Sequence, residues 1–79
     1  MNNKLEILTN YIQGEFGYDG DIDPEVDLLK EQIMDSFSIV QLAMFIQERF
    51  EIELEAEDLT RENLAKISSM LRLIDQRSI

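Results

Sequence analysis

The sequence predicts an all-α protein, a small helical bundle of three main helices and one short helix. Apolar residues recur at spacings of three and four in three separate segments, which is the pattern of helices with one buried face. No segment indicates a β-sheet. The chain has 79 residues, of which 44% are hydrophobic, so residues 1–79 are expected to form a single domain around one modest core.

The first and last helices are predicted from their apolar stripes. The first runs from about residue 3 to 16 and the last from about residue 64 to 75, with a short helical turn between residues 55 and 63. The stripe of the first helix is Leu5, Leu8, Ile12 and Phe16, and that of the last helix is Leu64, Ile67, Leu71 and Ile74. Each stripe is expected to face the core.

The second helix is predicted to begin at Ser36 and to end near Phe50. Its core residues are Ile39, Leu42, Ala43, Ile46 and Phe50. A second face carries Phe37, Val40, Gln41, Met44, Gln47 and Glu48. This face is partly apolar although it should be exposed. Its apolar members either pack against the preceding loop or contact partner proteins, and methionine suits a surface that accepts several partners.

A long acidic loop, roughly residues 17–35, joins the first two helices. Its expected anchors in the core are Val26, Leu28, Leu29 and Ile33. The alternating aspartates from Asp19 to Asp23 suggest a calcium loop. However, an EF-hand counted from Asp19 needs glycine where Pro24 stands and glutamate where Lys30 stands. We therefore expect a solvated acidic loop and no dedicated metal site.

The composition excludes several classes of function. A formal net charge of −10 opposes binding to nucleic acids or to anionic membranes. The chain contains no Cys and no His, so it offers no disulfide, no Cys/His zinc site and no histidine base. No nucleophile–base pair is visible, which argues against an enzyme. The N-terminus does not look like a signal peptide, and no apolar run reaches membrane-spanning length. We expect a cytoplasmic monomer.

The dipeptide Asp35-Ser36 stands where the second helix begins. A serine at this place is most often a helix cap. Asp35 is also a good cap, and Ile39 stands where a capping box based on Ser36 would need Glu or Gln. The Ser36 hydroxyl is then left for modification, and the start of a helix favours an attached phosphate. From the residues alone, capping by Ser36 comes first and modification second.

The order of these elements resembles the acyl, peptidyl and D-alanyl carrier proteins. The matching elements are an amphipathic first helix, a long acidic loop, Asp35-Ser36 and the second helix. The most specific part lies within residues 28–54. It contains Ile-Met-Asp-Ser-Phe-Ser-Ile-Val-Gln-Leu at 33–42 and Ile-Gln-Glu-Arg-Phe-Glu-Ile at 46–52. The resemblance implies an acyl-carrier-protein-like fold and a protein that is not itself an enzyme.

The resemblance also implies a cofactor and partners. Ser36 matches the serine that carries 4'-phosphopantetheine, and Asp35 matches the aspartate that helps the phosphopantetheinyl transferase recognise the site. That transferase uses coenzyme A and Mg²⁺. The terminal thiol then holds an acyl or aminoacyl group as a thioester. An adenylating enzyme or acyltransferase loads the carrier, and downstream biosynthetic enzymes dock on the second helix. The docking residues would be Phe37, Val40, Gln41, Met44, Gln47 and Glu48.

The type of carrier depends on a few positions. Phe37 follows the serine, as in D-alanyl carriers and in stand-alone carriers of natural-product pathways. Gln41 and Gln47 stand where fatty-acid carriers often have acids, and the region after Glu55 lacks the tryptophan often present in D-alanyl carriers. We therefore expect a carrier of a dedicated, natural-product type of pathway. The alternatives are a D-alanyl carrier for teichoic acid modification and an unmodified acidic helical interaction module.

Overall fold

The computed structural model describes residues 3–78, which form four α-helices and one turn of 3₁₀ helix. The α-helices are α1 (Asn3–Phe16), α2 (Ser36–Phe50), α3 (Arg61–Leu64) and α4 (Ile67–Arg77), and the 3₁₀ turn is Ala56–Asp58. No strand occurs within this described stretch. The predicted class, a helical bundle with three main helices and one short one, is confirmed.

The core lies between the three long helices and the loop that joins α1 to α2. Its fully buried side chains include Leu8, Ile12, Leu28, Leu42, Ile46, Ile67, Met70 and Ile74. The predicted stripes of α1 and α2 all contact this core, although Leu5, Phe16 and Phe50 are only half-buried at its margin. Burial of one such apolar side chain stabilises a fold by about 1.5–3 kcal/mol, so these stripes hold the bundle together.

The predicted last helix is wrong at its start. Leu64 belongs to α3, and the chain breaks before α4 because Lys66 has an extended backbone with φ −127° and ψ 143°. The buried face of α4 therefore begins again at Ile67 and continues through Met70, Leu73 and Ile74. Leu71, which was expected in this stripe, is only half-buried. The two missed residues, Met70 and Leu73, fill the core because they follow Ile67 at spacings of three and so lie on the same face of the helix.

The acidic loop is tied to the break between α3 and α4. The Leu28 N–H donates to the Ala65 carbonyl at 2.7 Å, and the Ser68 N–H donates to the Pro24 carbonyl at 3.0 Å. These bonds use backbone groups that a continuous helix would otherwise satisfy internally. The loop thus stabilises the break.

The loop anchors agree with the prediction in part. Leu28 is fully buried, and the other expected anchors are half-buried against the core, namely Val26, Leu29 and Ile33. Ile22 and Met34 are also buried, and neither was expected. The loop therefore contributes more to the core than its acidic composition suggests.

A polar network joins the 3₁₀ turn to the end of α4. Asp58 is 6% exposed; its Oδ1 accepts a hydrogen bond from Arg77 Nη2 at 2.8 Å, and its Oδ2 accepts one from the Glu55 N–H at 2.9 Å. The Arg77 guanidinium, followed by the Glu55 N–H, lowers the pKa of Asp58, while burial acts in the opposite direction. This network fixes the end of the last helix.

Candidate functional site

The start of α2 is capped by Asp35 and Ser38. Asp35 has an extended backbone, and its Oδ1 accepts hydrogen bonds from the Ser38 N–H at 3.1 Å and from Ser38 Oγ at 3.0 Å. The Asp35 N–H in turn donates to Ser38 Oγ at 3.2 Å. This is a capping box in which serine takes the place usually held by Glu or Gln. The interpretation of Ser36 as the cap is therefore wrong.

Ser36 is the first residue of α2 and is exposed to solvent. Its hydroxyl takes no part in the capping box, because Asp35 and Ser38 satisfy each other. The chain has no His to act as its base, and residues 3–78 contain no cluster of acidic side chains that could hold a metal ion. Ser36 is therefore accessible to another protein, and residues 3–78 place neither a histidine nor a metal-holding cluster beside its hydroxyl.

A groove opens beside Ser36 where four elements meet: the end of α1, the end of the acidic loop, and the first residues of α2 and of α3. It has a volume of about 440 Å³. Its apolar lining comes from Phe16, Leu29, Ile33 and Met34. Asp35, Ser36 and Arg61 add polar groups to the same groove. A group attached to Ser36 would therefore have both apolar and charged surface within reach.

Arg61, which lines this groove, forms an ion pair with Asp27, which does not. Arg61 Nη2 lies 3.6 Å from Asp27 Oδ2, and the arginine side chain is 61% exposed. The Asp27 carboxylate also accepts hydrogen bonds through Oδ1 from the N–H groups of Leu29 at 3.1 Å and Lys30 at 3.0 Å. The Lys30 bond is the main cause of a lowered pKa at Asp27, and Arg61 adds to it.

An exposed apolar surface follows Ser36 along α2. We call Phe37, Val40 and Met44 the α2 patch; they are 86%, 52% and 59% exposed. They lie at helical spacing and so share one face. Of the two interpretations open for Val40, packing against the loop is not supported, because half of its surface is in solvent. Large exposed apolar side chains grouped in this way are typical of contact sites.

The three polar residues of the predicted docking face differ in their surroundings. Gln41 is exposed, and its Nε2 donates to Glu15 Oε2 at 2.6 Å, which links α2 to α1. Glu48 is also exposed. Gln47 is half-buried, and its Oε1 accepts a hydrogen bond from the Leu54 N–H at 2.8 Å. Gln47 thus holds the segment after α2 and is less available to a partner than its neighbours.

Sequence reasoning missed two residues of this site, Ser38 and Arg61. The spacing Asp35-x-x-Ser38 carries a signal for Ser38, because a capping box joins residues three apart. No local signal identifies Arg61, since it reaches the Ser36 groove only through the fold.

Within the described stretch, no helix is both long and apolar enough to span a membrane.

The sequence of this chain is similar to those of known proteins. Residues 6–74 match the family described as the phosphopantetheine attachment site. Similar proteins include the D-alanyl carrier proteins of Bacillus mycoides (strain KBAB4), 35% identical, and of Bacillus cereus (strain B4264), 33% identical. Each alignment covers 52 residues, 66% of this chain and 66% of the relative, so the chain spans slightly less than two thirds of the relatives that it matches.

The family match and the fold agree with each other. The match runs from α1 into α4 and so includes the Ser36 groove and the α2 patch. The helical bundle is the architecture that the resemblance to carrier proteins implied. The chain therefore belongs to the phosphopantetheine-binding family.

Proposed function

We propose that Ser36 is the residue to which 4'-phosphopantetheine is attached. The observation that carries this proposal is the capping box, in which Ser38 satisfies Asp35 and leaves the exposed Ser36 hydroxyl free of that role. The site also fits the group, because an open groove of about 440 Å³ lies beside the hydroxyl. When bound, the arm supplies a terminal thiol on which an acyl or aminoacyl group is held as a thioester.

The residues around Ser36 have distinct parts in this proposal. Ser36 Oγ attacks the phosphorus of coenzyme A that bears the pantetheine arm, the P–O bond of the diphosphate breaks, and adenosine 3',5'-bisphosphate leaves. The chain has no histidine, so we assign the base that takes the Ser36 proton to the transferase. Asp35 is exposed, and both hydrogen bonds that its side chain accepts from Ser38 use Oδ1. Its Oδ2 is therefore the atom we assign to recognition by the transferase.

Docking of partner enzymes is assigned to α2. The α2 patch supplies apolar contact area, and the exposed Gln41 and Glu48 supply polar contacts around it. Gln47 is half-buried and adds a smaller polar contact. The net charge of −10 favours approach to basic surfaces on a transferase or a loading enzyme. A flexible arm fixed beside this surface would hold cargo at high effective concentration near a docked active site.

The pathway that we propose is a dedicated biosynthetic one of the natural-product type. It is supported by Gln41 and Gln47, which make α2 less acidic than in fatty-acid carriers, and by the absence of tryptophan after Glu55. In this pathway an adenylating enzyme or acyltransferase loads the carrier. We further propose that residues 1–79 act as one carrier unit and work as a cytoplasmic monomer.

The second candidate is a D-alanyl carrier protein. It is favoured by the relatives from Bacillus mycoides and Bacillus cereus, which bear that name. Phe37 after the serine also agrees with it. The family match over residues 6–74 argues against the third hypothesis, an unmodified acidic interaction module.

The attachment proposal is tested by intact mass. The protein is incubated with a broad-specificity phosphopantetheinyl transferase, Mg²⁺ and coenzyme A. We expect a gain of roughly 340 Da. Ser36→Ala should abolish the gain, and Ser69→Ala on α4 should keep it. No gain in the wild-type protein, or a gain that survives Ser36→Ala, contradicts the proposal.

The two pathways are then separated by loading. The phosphopantetheinylated protein is incubated with ATP, D-alanine and a D-alanyl carrier protein ligase from a Bacillus species, and the mass is measured again. Addition of one alanyl residue, released by hydroxylamine as a thioester would be, favours the D-alanyl carrier. No addition, when a Bacillus D-alanyl carrier protein is loaded in the same mixture, favours the other pathway.

A further inference from the structure

The groove beside Ser36 contains one basic side chain among the described residues that line it, that of Arg61. The other polar groups there are neutral or acidic, and Asp35 lies directly before Ser36. A phosphodiester on Ser36 would add negative charge to a protein that already has a formal net charge of −10. Arg61 is therefore the cation that the groove offers to balance it.

We propose that Arg61 binds the phosphate of the arm carried by Ser36 and so holds the base of the arm in this groove. Arginine is well suited to this, because its planar guanidinium can donate two parallel hydrogen bonds to phosphate oxygens. The apolar lining from Phe16, Leu29 and Ile33 then faces the part of the arm beyond the phosphate. This role of Arg61 rests on the proposed attachment at Ser36. Arg61 lies outside residues 28–54, where the resemblance to carrier proteins is most specific.

The present contact of Arg61 leaves it available. Its ion pair with Asp27 spans 3.6 Å, and its side chain is 61% exposed. Exposed ion pairs of this kind contribute little to stability, typically about 0–1 kcal/mol. The guanidinium also has five N–H donors, so it can approach a phosphate with one edge without losing Asp27 from the other.

Asp27 does not depend on Arg61 for its own place. Its Oδ1 accepts the N–H groups of Leu29 and Lys30, and this bonding holds the turn of the loop. The start of α3 is similarly independent, because Thr60 Oγ1 accepts the Asn63 N–H at 3.3 Å. Replacement of the Arg61 side chain should therefore leave the groove folded, which makes the proposal testable by substitution.

The test uses nuclear magnetic resonance on ¹⁵N-labelled protein with and without the arm. In the wild-type protein we expect attachment to shift the Arg61 Nε–Hε signal and to slow its exchange with water. In Arg61→Gln, the shifts that attachment causes at the Leu29 and Ile33 amides should fall about twofold or more. Arg61→Lys should restore part of the effect because it keeps the charge. Higher ionic strength should weaken it, because the contact is near the surface.

A matched control is Arg72→Gln, which removes an exposed arginine of α4 that does not line the groove. It should leave the shifts unchanged. Intact mass is measured first for every variant, so a wild-type protein that takes no arm overturns the proposed attachment itself. An arm that is attached while the Arg61 signal stays in place, or shifts at Leu29 and Ile33 that survive Arg61→Gln, overturn this inference alone.

Discussion

Among the described residues, Asp35 and Asp58 both take part in capping boxes, Asp35 as the N-cap of α2 and Asp58 as the third residue of the 3₁₀ turn. The fold uses them differently. Asp35 is exposed, and within residues 3–78 its side chain bonds to Ser38 alone, through Oδ1, so Ser36 stays accessible. Asp58 is buried, and both of its carboxylate oxygens are bonded, one of them to Arg77. At the surface, the Asp35 carboxylate closes its capping box and leaves Ser36 in solvent. In the interior, the Asp58 carboxylate also binds Arg77 and so fixes the 3₁₀ turn to the end of α4.

We expect the largest difference between the two aspartates in the free energy of unfolding, with the greater loss at Asp58. Asp58→Ala leaves Arg77 without its closest partner and removes the bond that the Glu55 N–H donates to the Asp58 side chain, so we expect the free energy of unfolding to fall by about 2–3 kcal/mol. Denaturation by urea measures this loss. The control is Asp75→Ala, which removes an exposed ion pair with Lys4 and should change stability by no more than about 0.5 kcal/mol. Equal losses in the two variants would contradict the distinction.

The stabilisation that Asp58 provides should depend on pH. The pKa of Asp58 in the folded protein lies below its ordinary value of 3.8, mainly because of Arg77. The stabilisation is therefore complete above the ordinary value and is lost as pH falls through the lowered pKa. We expect Asp58→Asn to be less stable than the wild type by about 1–2 kcal/mol at neutral pH. This difference in the free energy of unfolding should become smaller below about pH 4. Urea titrations at a series of pH values measure the difference. If it does not change with pH, the stabilisation does not come from the ionised Asp58 carboxylate.

At the other aspartate the expected effect is smaller. Asp35→Ala removes the cap of α2 and should lower the free energy of unfolding by about 1 kcal/mol. Ser36→Ala should change it by less than about 0.5 kcal/mol, because the hydroxyl takes no part in the cap. Thermal denaturation followed by circular dichroism compares the two. A loss at Ser36 as large as that at Asp35 would mean that the serine is a structural cap after all.

The smallest effect on stability is expected at the α2 patch. Phe37 is 86% exposed, so Phe37→Ser should change the free energy of unfolding by less than about 0.5 kcal/mol. Its effect should instead appear in docking, as a higher KM of the carrier for the transferase or the loading enzyme. Gln76→Ser, at an exposed position of α4, is the control. Unchanged kinetics with both variants would remove Phe37 from the docking surface.

The sequence was sufficient for the elements whose signal is local. The bounds of α1 and α2 follow from apolar spacing, and the exposure of Phe37 and Met44 follows from their place on the outer face of α2. The importance of Asp35 and Ser36 was also visible, although Ser38 was overlooked. A capping box with serine at its third position is a weaker signal than one with Glu or Gln.

The remaining features depend on contacts between distant segments. Ala65 and Lys66 give no sequence signal for the break between α3 and α4, since both residue types are good helix formers. The break is stabilised from a distance, because the Ala65 carbonyl accepts the Leu28 N–H from the acidic loop. Arg61 was missed for the same reason, because the fold brings α3 to the groove beside Ser36. Apolar periodicity cannot report such pairings.

The bond between Leu28 and Ala65 has a consequence for the order in which the molecule opens. The Leu28 amide is covered by a carbonyl far along the chain, so it can exchange with deuterated water only when the acidic loop separates from the α3–α4 break. The Ser68 amide depends in the same way on Pro24. Loop and C-terminal helices are therefore expected to open as one cooperative unit, and these two amides would exchange at a common rate.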